Sequence, residues 1–267
     1  LFDSFILASG FIYFYLKNLR HSEQPERQSV PNAESSFTWK FNKSTAFSLL
    51  KDSWPLILSG IFISIYMKID QVMIKEMMNV EAVGQYAAAV RLSEAWYFIP
   101  MAIVSSLFPS IINAKKVSDK LYLERLQRLY SLMVWLAIAI ALPMTFLSDW
   151  VVNLLYGNAY QEAGSVLMIH IWTGVFVFLG VAFSHYLIVE NLMMKSFYRT
   201  ALGTILNIIF NFILIPKYGI YGAAIATLLG QMTANLIYDI FDKTLWSQLK
   251  MKLKAIFPIY LIRGVQK

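Results

Sequence analysis

The sequence contains no cysteine and few charged residues. Without cysteine the chain can form no disulfide, no thiolate zinc site and no cysteine nucleophile. Only 15% of its 267 residues are charged, while 58% are hydrophobic and the mean hydropathy is +0.55. Soluble proteins carry about 25% charged residues, because their surfaces must stay in water. The composition therefore excludes an ordinary soluble domain and predicts a membrane protein.

The sequence also lacks the common catalytic motifs. It has no glycine-rich phosphate loop, no Gly-x-Ser-x-Gly elbow, no His-Glu-x-x-His pair and no calcium-binding loop. We therefore expect a protein that is not an enzyme and holds neither a cofactor nor a metal ion. Without an ATP-binding motif, any transport would depend on an ion gradient, on the membrane potential or on downhill movement of the substrate.

Long stretches with little charge make up most of the chain. A helix crosses the hydrocarbon core of a membrane with about 20 residues. Six segments are long enough, namely 52–75, 81–115, 128–149, 162–190, 199–217 and 217–239. Membrane strands would show shorter segments of alternating polarity, which these segments lack. The pattern predicts an all-α integral membrane protein with six complete spans.

Basic residues are sorted between alternate connections of these spans. Of the 23 lysines and arginines, 18 lie in 17–45, 113–128, 190–200 and the tail after residue 241. Lysine and arginine mark cytoplasmic connections. We therefore expect a multi-pass membrane protein with the segment 17–45 and the C-terminus in the cytoplasm. No nucleic-acid partner is expected, because the basic residues do not form one face.

Three further segments complete the predicted organisation around the spans. Residues 1–16 are apolar but too short to cross a membrane, which indicates the end of a helix that begins upstream in a longer protein. Residues 17–43 have the composition of a flexible cytoplasmic linker. Residues 44–246 hold the six spans. Residues 247–267 form a basic amphipathic tail suited to the anionic leaflet, with a short seventh span over 255–262 as the alternative.

Four ionisable residues within the spans are candidates for substrate binding. Such residues cost about 2.5 to 3.5 kcal/mol each on insertion scales, so they usually serve a cavity or a partner. Arg91 and Glu94 lie three residues apart on one helical face, and Lys68 and Asp70 lie near the outer end of the preceding span. In one interpretation Arg91, with Lys68, lines a polar cavity and binds an anionic substrate group. In the other, Arg91 pairs with Glu94, and Lys68 extends to the interface.

Other polar residues within the spans allow a role in coupling or in packing. His170 and His185 lie fifteen residues apart, about 22 Å along a straight helix, so they cannot share a metal ion. Both are candidates for proton coupling, with hydrogen-bonded packing as the alternative. Asn207 and Asn211, one turn apart, are expected to join helices. A small-residue face, expected to pack closely, comprises Gly222, Ala223, Ala226 and Gly230.

Three segments resemble the Wzx-type polysaccharide-export flippases of the multidrug/oligosaccharidyl-lipid/polysaccharide superfamily. They are DQVMIKEMMNVEAVGQYAAAVRLSEAW (70–96), LLYGNAYQEAGSVLMI (154–169) and NFILIPKYGIYGAAIATLLGQ (211–231). Their shared features are Asp-Gln opening an outer loop, Glu-Ala-Val-Gly-x-Tyr before the next span, Tyr-Gly-x-x-Tyr, and Pro-Lys-Tyr-Gly-Ile-x-Gly-Ala-Ala at a tight outer turn. The resemblance covers about residues 44–241.

The resemblance implies a twelve-helix fold of two six-helix lobes. This chain would be the second lobe plus the end of the preceding helix, and the implied location is the bacterial cytoplasmic (inner) membrane. The implied activity is ion-coupled flipping of an undecaprenyl-diphosphate-linked oligosaccharide from the cytoplasmic to the periplasmic leaflet, with Arg91 matched to the pyrophosphate. The implied partners are the lipid-linked oligosaccharide, membrane lipids, the missing N-terminal lobe and polysaccharide polymerase or assembly proteins.

Three alternatives fit parts of the same pattern. A multidrug-extrusion antiporter would share the architecture but would favour acidic cavity residues for cationic drugs. A lipid II flippase relative usually carries two further helices after the twelfth. A non-transporting membrane subunit of a polysaccharide assembly complex would need no charged residues in a cavity.

Overall fold

The structure is a computed structural model that describes residues 43–257. The predicted segment 1–16, the predicted linker 17–43 except for Lys43, and the last ten residues of the tail lie outside the described residues. The helices are α1 Lys43–Met77, α2 Val80–Glu94, α3 Phe98–Val117, α4 Asp119–Tyr156, α5 Gln161–His170, α6 Thr173–Val189, α7 Met193–Met232, α8 Tyr238–Phe241 and α9 Trp246–Ala255. Short 3₁₀ turns link α2 to α3, α4 to α5 and α8 to α9, and a π-helix, Thr233–Ile237, joins α7 to α8.

Several of these helices are long and apolar enough to cross a membrane. Four continuous stretches qualify, namely Trp54–Met77, Val80–Val117, Asp119–Tyr156 and Met193–Phe241. Helices α5 and α6 qualify as a pair that is bent by 47°. The predicted class of all-α integral membrane protein is confirmed.

The stretch that contains α7 is a hairpin of two antiparallel arms. Gly219 has φ 60° and ψ −139°, which breaks the helix. A Cβ on Gly222 would lie 2.3 Å from the Leu214 carbonyl oxygen, and one on Gly230 would lie 2.9 Å from the Asn207 Cβ. The two arms therefore lie side by side, and the expected close packing of the small-residue face is confirmed. Four stretches and the bent pair make five candidate crossing segments among the described residues. The predicted count of six spans stays a prediction, which would require each arm of the hairpin to cross separately.

The two ends of the bundle differ in how their connections are built. At the end that we call outer, following the predicted orientation, α1 meets α2, α4 meets α5, and the arms of α7 turn. The Asn79 side chain there caps α2 by accepting a hydrogen bond from the Ala82 N–H at 2.8 Å, and Gly157 ends α4 with φ 77°. At the opposite, inner end, Asn191 adopts φ 57°, and the Leu192 N–H donates to the Leu187 carbonyl at 2.7 Å, which closes α6.

The predicted span 162–190 is a broken pair of helices, which corrects the expectation of one straight helix. The Trp172 N–H donates to the Ile169 carbonyl and the Gly174 N–H to the Ile171 carbonyl, so the chain makes a tighter turn between α5 and α6. His170 therefore ends α5 while His185 lies on α6. The separation calculated for a straight helix does not apply to these two residues.

The close approach of the two arms of α7 leads to a first prediction. Gly222→Ala places a methyl group against the rigid Leu214 backbone, so we expect a loss of about 1–3 kcal/mol in stability. The matched control is Gly84→Ala on α2, where nothing lies within 4 Å of the added Cβ. Replacing glycine by alanine inside a helix raises the free energy of unfolding by about 0.5–1 kcal/mol where the added methyl group has room. Thermal unfolding of the purified variants in detergent measures both, and equal midpoints would contradict the hairpin geometry.

Candidate functional site

A buried carboxylate joins three helical segments in the outer half of the bundle. Asp70, on α1, is 4% exposed. Its Oδ2 accepts a hydrogen bond from the Tyr86 hydroxyl of α2 at 2.8 Å and another from the Thr227 hydroxyl, on the second arm of α7. Its Oδ1 accepts from the Asn211 Nδ2, on the first arm, at 2.5 Å. We call Asp70, Tyr86, Asn207, Asn211 and Thr227 the Asp70 centre.

The Asp70 centre has no counter-charge within the described part of the chain. The three ion pairs among residues 43–257 lie elsewhere, and the groups that hydrogen-bond to Asp70 are all neutral hydroxyls and amides. A buried carboxylate without a cation is expensive unless it takes up a proton or a positive ion. Within the described residues, the Asp70 carboxylate is therefore held by neutral hydrogen-bond donors alone.

Two amide groups of the Asp70 centre retain free hydrogen-bonding capacity. The Asn211 Nδ2 also lies 3.3 Å from the Asn207 Oδ1, one turn earlier on the same arm. Within the described residues, the Asn211 Oδ1 and the Asn207 Nδ2 are buried without a partner. Asp70, Thr227 and the two asparagines thus collect several oxygens, the ligands that hard cations prefer. The expectation that these asparagines join helices is confirmed for Asn211, which bonds to Asp70 of α1, whereas the hydrogen bond of Asn207 stays on its own arm.

The other predicted substrate-binding residues do not join this centre. Lys68 and Arg91 are exposed, and Glu94 is half-buried. Arg91 follows Tyr86 by five residues, which turns it about 140° around α2 and away from Asp70, at 100° per residue. The structure thus separates Asp70 from Lys68 and Arg91. A cavity role for the exposed residues stays a prediction.

Both histidines of the predicted proton-coupling pair have hydrogen-bond contacts. The His170 Nδ1 lies 2.9 Å from the Ser93 hydroxyl of α2, and His170 is 3% exposed. The His185 Nδ1 lies 2.9 Å from the Val181 carbonyl one turn earlier, and its ring packs edge-on against Phe108 at 4.9 Å. These contacts fit the packing alternative, and proton coupling through either residue stays a prediction.

A second buried polar cluster occupies the inner end, where it holds α9. The Lys252 Nζ lies 2.6 Å from the Asp239 Oδ2 in a fully buried ion pair, and it also donates to the Asn235 carbonyl of the π-helix at 2.9 Å. The Arg199 guanidinium donates to the Asn235 Oδ1 and to the Ser184 hydroxyl, both at 2.5 Å. Burial lowers the pKa of Lys252 to about 7, although the Asp239 carboxylate opposes this shift.

This cluster corrects the picture of a tail that only lies on the membrane surface. The tail is expected to lie on the anionic leaflet, but Lys252 is 1% exposed and Gln248 accepts a hydrogen bond from the buried Tyr130 hydroxyl at 2.9 Å. Lys250 and Lys254, on the opposite face of α9, are exposed. One face of this helix is therefore docked into the bundle. The burial of Lys252 could not be predicted from the sequence, because a buried lysine after the last span has the same sequence pattern as an exposed cytoplasmic lysine.

Two further ion pairs tie connections together at the same end. The Lys115 Nζ of α3 lies 2.6 Å from the Glu190 carboxylate that follows α6, and the Lys195 Nζ of α7 lies 2.6 Å from the Asp242 carboxylate that follows α8. Burial alone would raise the pKa of Asp242, but hydrogen bonds from Lys195 and Thr244 outweigh it and lower the pKa. Ion pairs therefore hold the connections together at the inner end of the bundle.

Long apolar helices with an uncompensated buried carboxylate define a class, the multi-pass helical membrane proteins with polar centres inside the bundle. Comparison with known proteins narrows this class. Residues 4–115 match the family described as "Polysaccharide biosynthesis protein". No solved structure matches the chain.

Curated proteins related to this chain carry names from glycan biosynthesis. The "Capsular polysaccharide biosynthesis protein CapF" of Staphylococcus aureus is 21% identical over 193 residues, which is 72% of this chain and 49% of that protein. The "Probable low-salt glycan biosynthesis flippase Agl15" of Haloferax volcanii is 26% identical over 192 residues, which is 70% of this chain and 39% of that protein. The "Probable flippase AglR" of the same organism is 27% identical over 180 residues, which is 64% of this chain and 37% of that protein.

These matches confirm the predicted resemblance to the polysaccharide-export flippases. The aligned part of the chain spans about half of CapF and less than half of the two Haloferax proteins.

The buried Lys252–Asp239 pair leads to a second prediction. Lys252→Met leaves Asp239 buried without its partner, which costs about 3–5 kcal/mol, whereas Lys252→Met combined with Asp239→Leu should recover most of that loss. Lys250→Met, on the exposed face of α9, is the matched control. Unfolding midpoints and hydrogen exchange of residues 246–255 measure the effect. A double variant as unstable as the single one would contradict the proposed pairing.

Proposed function

We propose that this chain is part of a membrane flippase that translocates a lipid-linked oligosaccharide for polysaccharide biosynthesis. The cargo would be an undecaprenyl-diphosphate-linked repeat unit that moves from the cytoplasmic to the outer leaflet by alternating access, driven by an ion gradient. The family match and the names of the related proteins support the role in glycan biosynthesis. The other half of the transport pathway would come from a second lobe.

The observation that carries ion coupling is the Asp70 carboxylate. It is buried inside crossing helices, it has no basic partner among the described residues, and it is surrounded by hydroxyl and amide groups. Such a group takes up a proton or a small cation such as sodium more readily than it stays an isolated anion. The bound ion would then be the coupling ion.

Ion uptake at Asp70 would change the packing of the bundle because its partners lie on different segments. The carboxylate holds Tyr86 of α2, Asn211 of one α7 arm and Thr227 of the other. A proton or a cation removes the net negative charge and rearranges which of these groups donate to it. The relative stability of two arrangements of α1, α2 and α7 would therefore depend on ion occupancy, as alternating access requires.

The exposed Arg91 is the candidate contact for the diphosphate of the cargo. Its guanidinium has no hydrogen-bond or ion-pair partner among residues 43–257, and it can form the bidentate contacts that suit phosphate oxygens. Lys68 is exposed as well and can add a second positive charge. The cargo site and the coupling site would then be separate, since Asp70 is buried and Arg91 is not.

A third prediction tests the coupling site in the full-length protein. Asp70→Asn keeps the shape of the side chain but removes its charge, so it should abolish the ion dependence of flipping and reduce export by about tenfold or more, a coupling free energy of about 1.4 kcal/mol or above. Flipping of fluorescent lipid-linked oligosaccharide in proteoliposomes, with imposed proton or sodium gradients, identifies the ion.

The matched control for the coupling site is Asp149→Asn. Asp149 is an exposed carboxylate on α4, outside the Asp70 centre. The Asp149→Asn variant should therefore retain gradient-driven flipping. Wild-type gradient dependence in Asp70→Asn would overturn the assignment.

A fourth prediction tests the cargo contact. Arg91→Ala should reduce polysaccharide export and raise the substrate concentration needed for half-maximal flipping, while Arg91→Lys should keep part of the activity because it preserves the charge but not the fork. Arg128→Ala, an exposed arginine on α4, is the control and should export normally. Unchanged export in Arg91→Ala would contradict the proposed contact between Arg91 and the diphosphate, and it would favour the alternative that the chain is a non-transporting subunit.

A further inference from the structure

A polar groove opens at the outer end of the bundle, apart from the Asp70 centre. Its volume is about 470 Å³, within the range of about 300–1,000 Å³ that is typical of ligand pockets. One wall is the start of α2, and the other is the connection from α4 to α5. The polar side chains that line it are Asn79, Glu81, Gln85, Asn158, Gln161 and Glu162. We call this cavity the outer groove.

The floor of the outer groove is fixed by hydrogen bonds. Gln85 is buried, its Nε2 donates to the Ala159 carbonyl at 2.7 Å, and its Oε1 accepts from the Ala163 N–H at 3.2 Å. This one side chain therefore fastens the α4–α5 connection to α2. The groove walls are held at a set distance, which is the preorganisation that a binding site needs.

Two of the sequence segments that carry the family resemblance meet in this groove. The Glu-Ala-Val-Gly-x-Tyr segment, residues 81–86, supplies Glu81, Ala82 and Gln85, and the Tyr-Gly-x-x-Tyr segment, residues 156–160, supplies Asn158 and Ala159. The segments are about 70 residues apart in the chain. The coupling site uses only Tyr86 from them, so most of their polar groups have no other assigned role.

The chemistry of the groove walls matches sugar hydroxyls. A hydroxyl both donates and accepts hydrogen bonds, and the groove offers carboxylates that accept together with amides that do both. The two carboxylates, Glu81 and Glu162, would repel a phosphate, so the groove does not suit the anionic part of a lipid-linked glycan.

We propose that the outer groove binds sugar residues of the glycan cargo. This inference rests on the proposed function, because it assigns a second contact to the same cargo. Ring hydroxyls donate to the carboxylates of Glu81 and Glu162 and accept from the amides of Asn158 and Gln161. The groove thereby holds the glycan at the outer end while the diphosphate is excluded.

Protection of an introduced thiol tests this proposal in the full-length protein. The 267 residues contain no cysteine, so Asn158→Cys and Gln161→Cys each place one thiol of this region in the groove. The labelling rate with a fluorescent maleimide is compared in permeabilised cells that assemble the lipid-linked glycan and in cells lacking the first sugar transfer to the carrier lipid. We expect labelling to be slower by about tenfold when the glycan is present, as for a site that is about 90% occupied.

The matched control is Lys217→Cys, an exposed position at the same end that does not line the groove. Its labelling rate should not depend on the glycan. Equal rates with and without the glycan at both groove positions would overturn the inference. Protection that is removed by a chelator, and is equally strong in cells without the glycan, would also overturn it, because that result would mark a cation site.

Substitution of the carboxylates separates this inference from the proposed function. Glu81→Ala combined with Glu162→Ala should abolish the protection at Asn158→Cys, whereas Glu81→Gln combined with Glu162→Gln should keep part of it, since amides still accept hydrogen bonds. Glycan export with and without the gene is measured in the same cells. Export that depends on the gene without any groove protection would refute the groove alone, while export that is independent of the gene would refute the proposed function.

Discussion

The buried Asp70 carboxylate is the constraint on which the outer half of the bundle depends. A charge in an apolar interior is costly unless nearby groups hydrogen-bond to it, and here α2 and both arms of α7 each donate one hydrogen bond to the carboxylate that α1 carries. The two arms can both reach Asp70 only because glycines bring their backbones together. The close packing of the arms and the polar centre therefore depend on each other. A change in the charge of Asp70 would alter the hydrogen bonds that join α1 to α2 and to both arms of α7.

The two ends of the bundle are held by different forces. At the inner end three ion pairs and the docked α9 fasten the connections. At the outer end the connections rest on neutral caps and on the amide of Gln85. Helix α4, with 38 residues, is about 57 Å long at 1.5 Å per residue, well beyond a hydrocarbon core of about 30 Å. The bundle is therefore long enough for ion pairs at its inner end, such as Lys115–Glu190 and Lys195–Asp242, to lie outside the apolar region.

The proposed roles follow from this division. A charge-changing centre that touches several segments suits ion coupling, an exposed arginine suits a diphosphate, and an acidic, amide-lined groove suits sugars and repels phosphate. A lipid-linked oligosaccharide carries both kinds of group in one molecule. Separate sites for its anionic and its sugar parts would let one cargo be held at different places during transfer, while the braced inner end keeps the tail helix in place.

Hydropathy predicted the long apolar helices, because a bilayer demands about 20 apolar residues for each crossing helix whatever the neighbours are. Asp70 was a candidate from sequence for the same reason, since charge inside a span is costly. Its partners Tyr86 and Thr227 were not, because neutral polar side chains carry no signal of what they face. The break between α5 and α6, the burial of Lys252 and the outer groove were decided by tertiary packing alone, which brings together residues that are far apart in the chain.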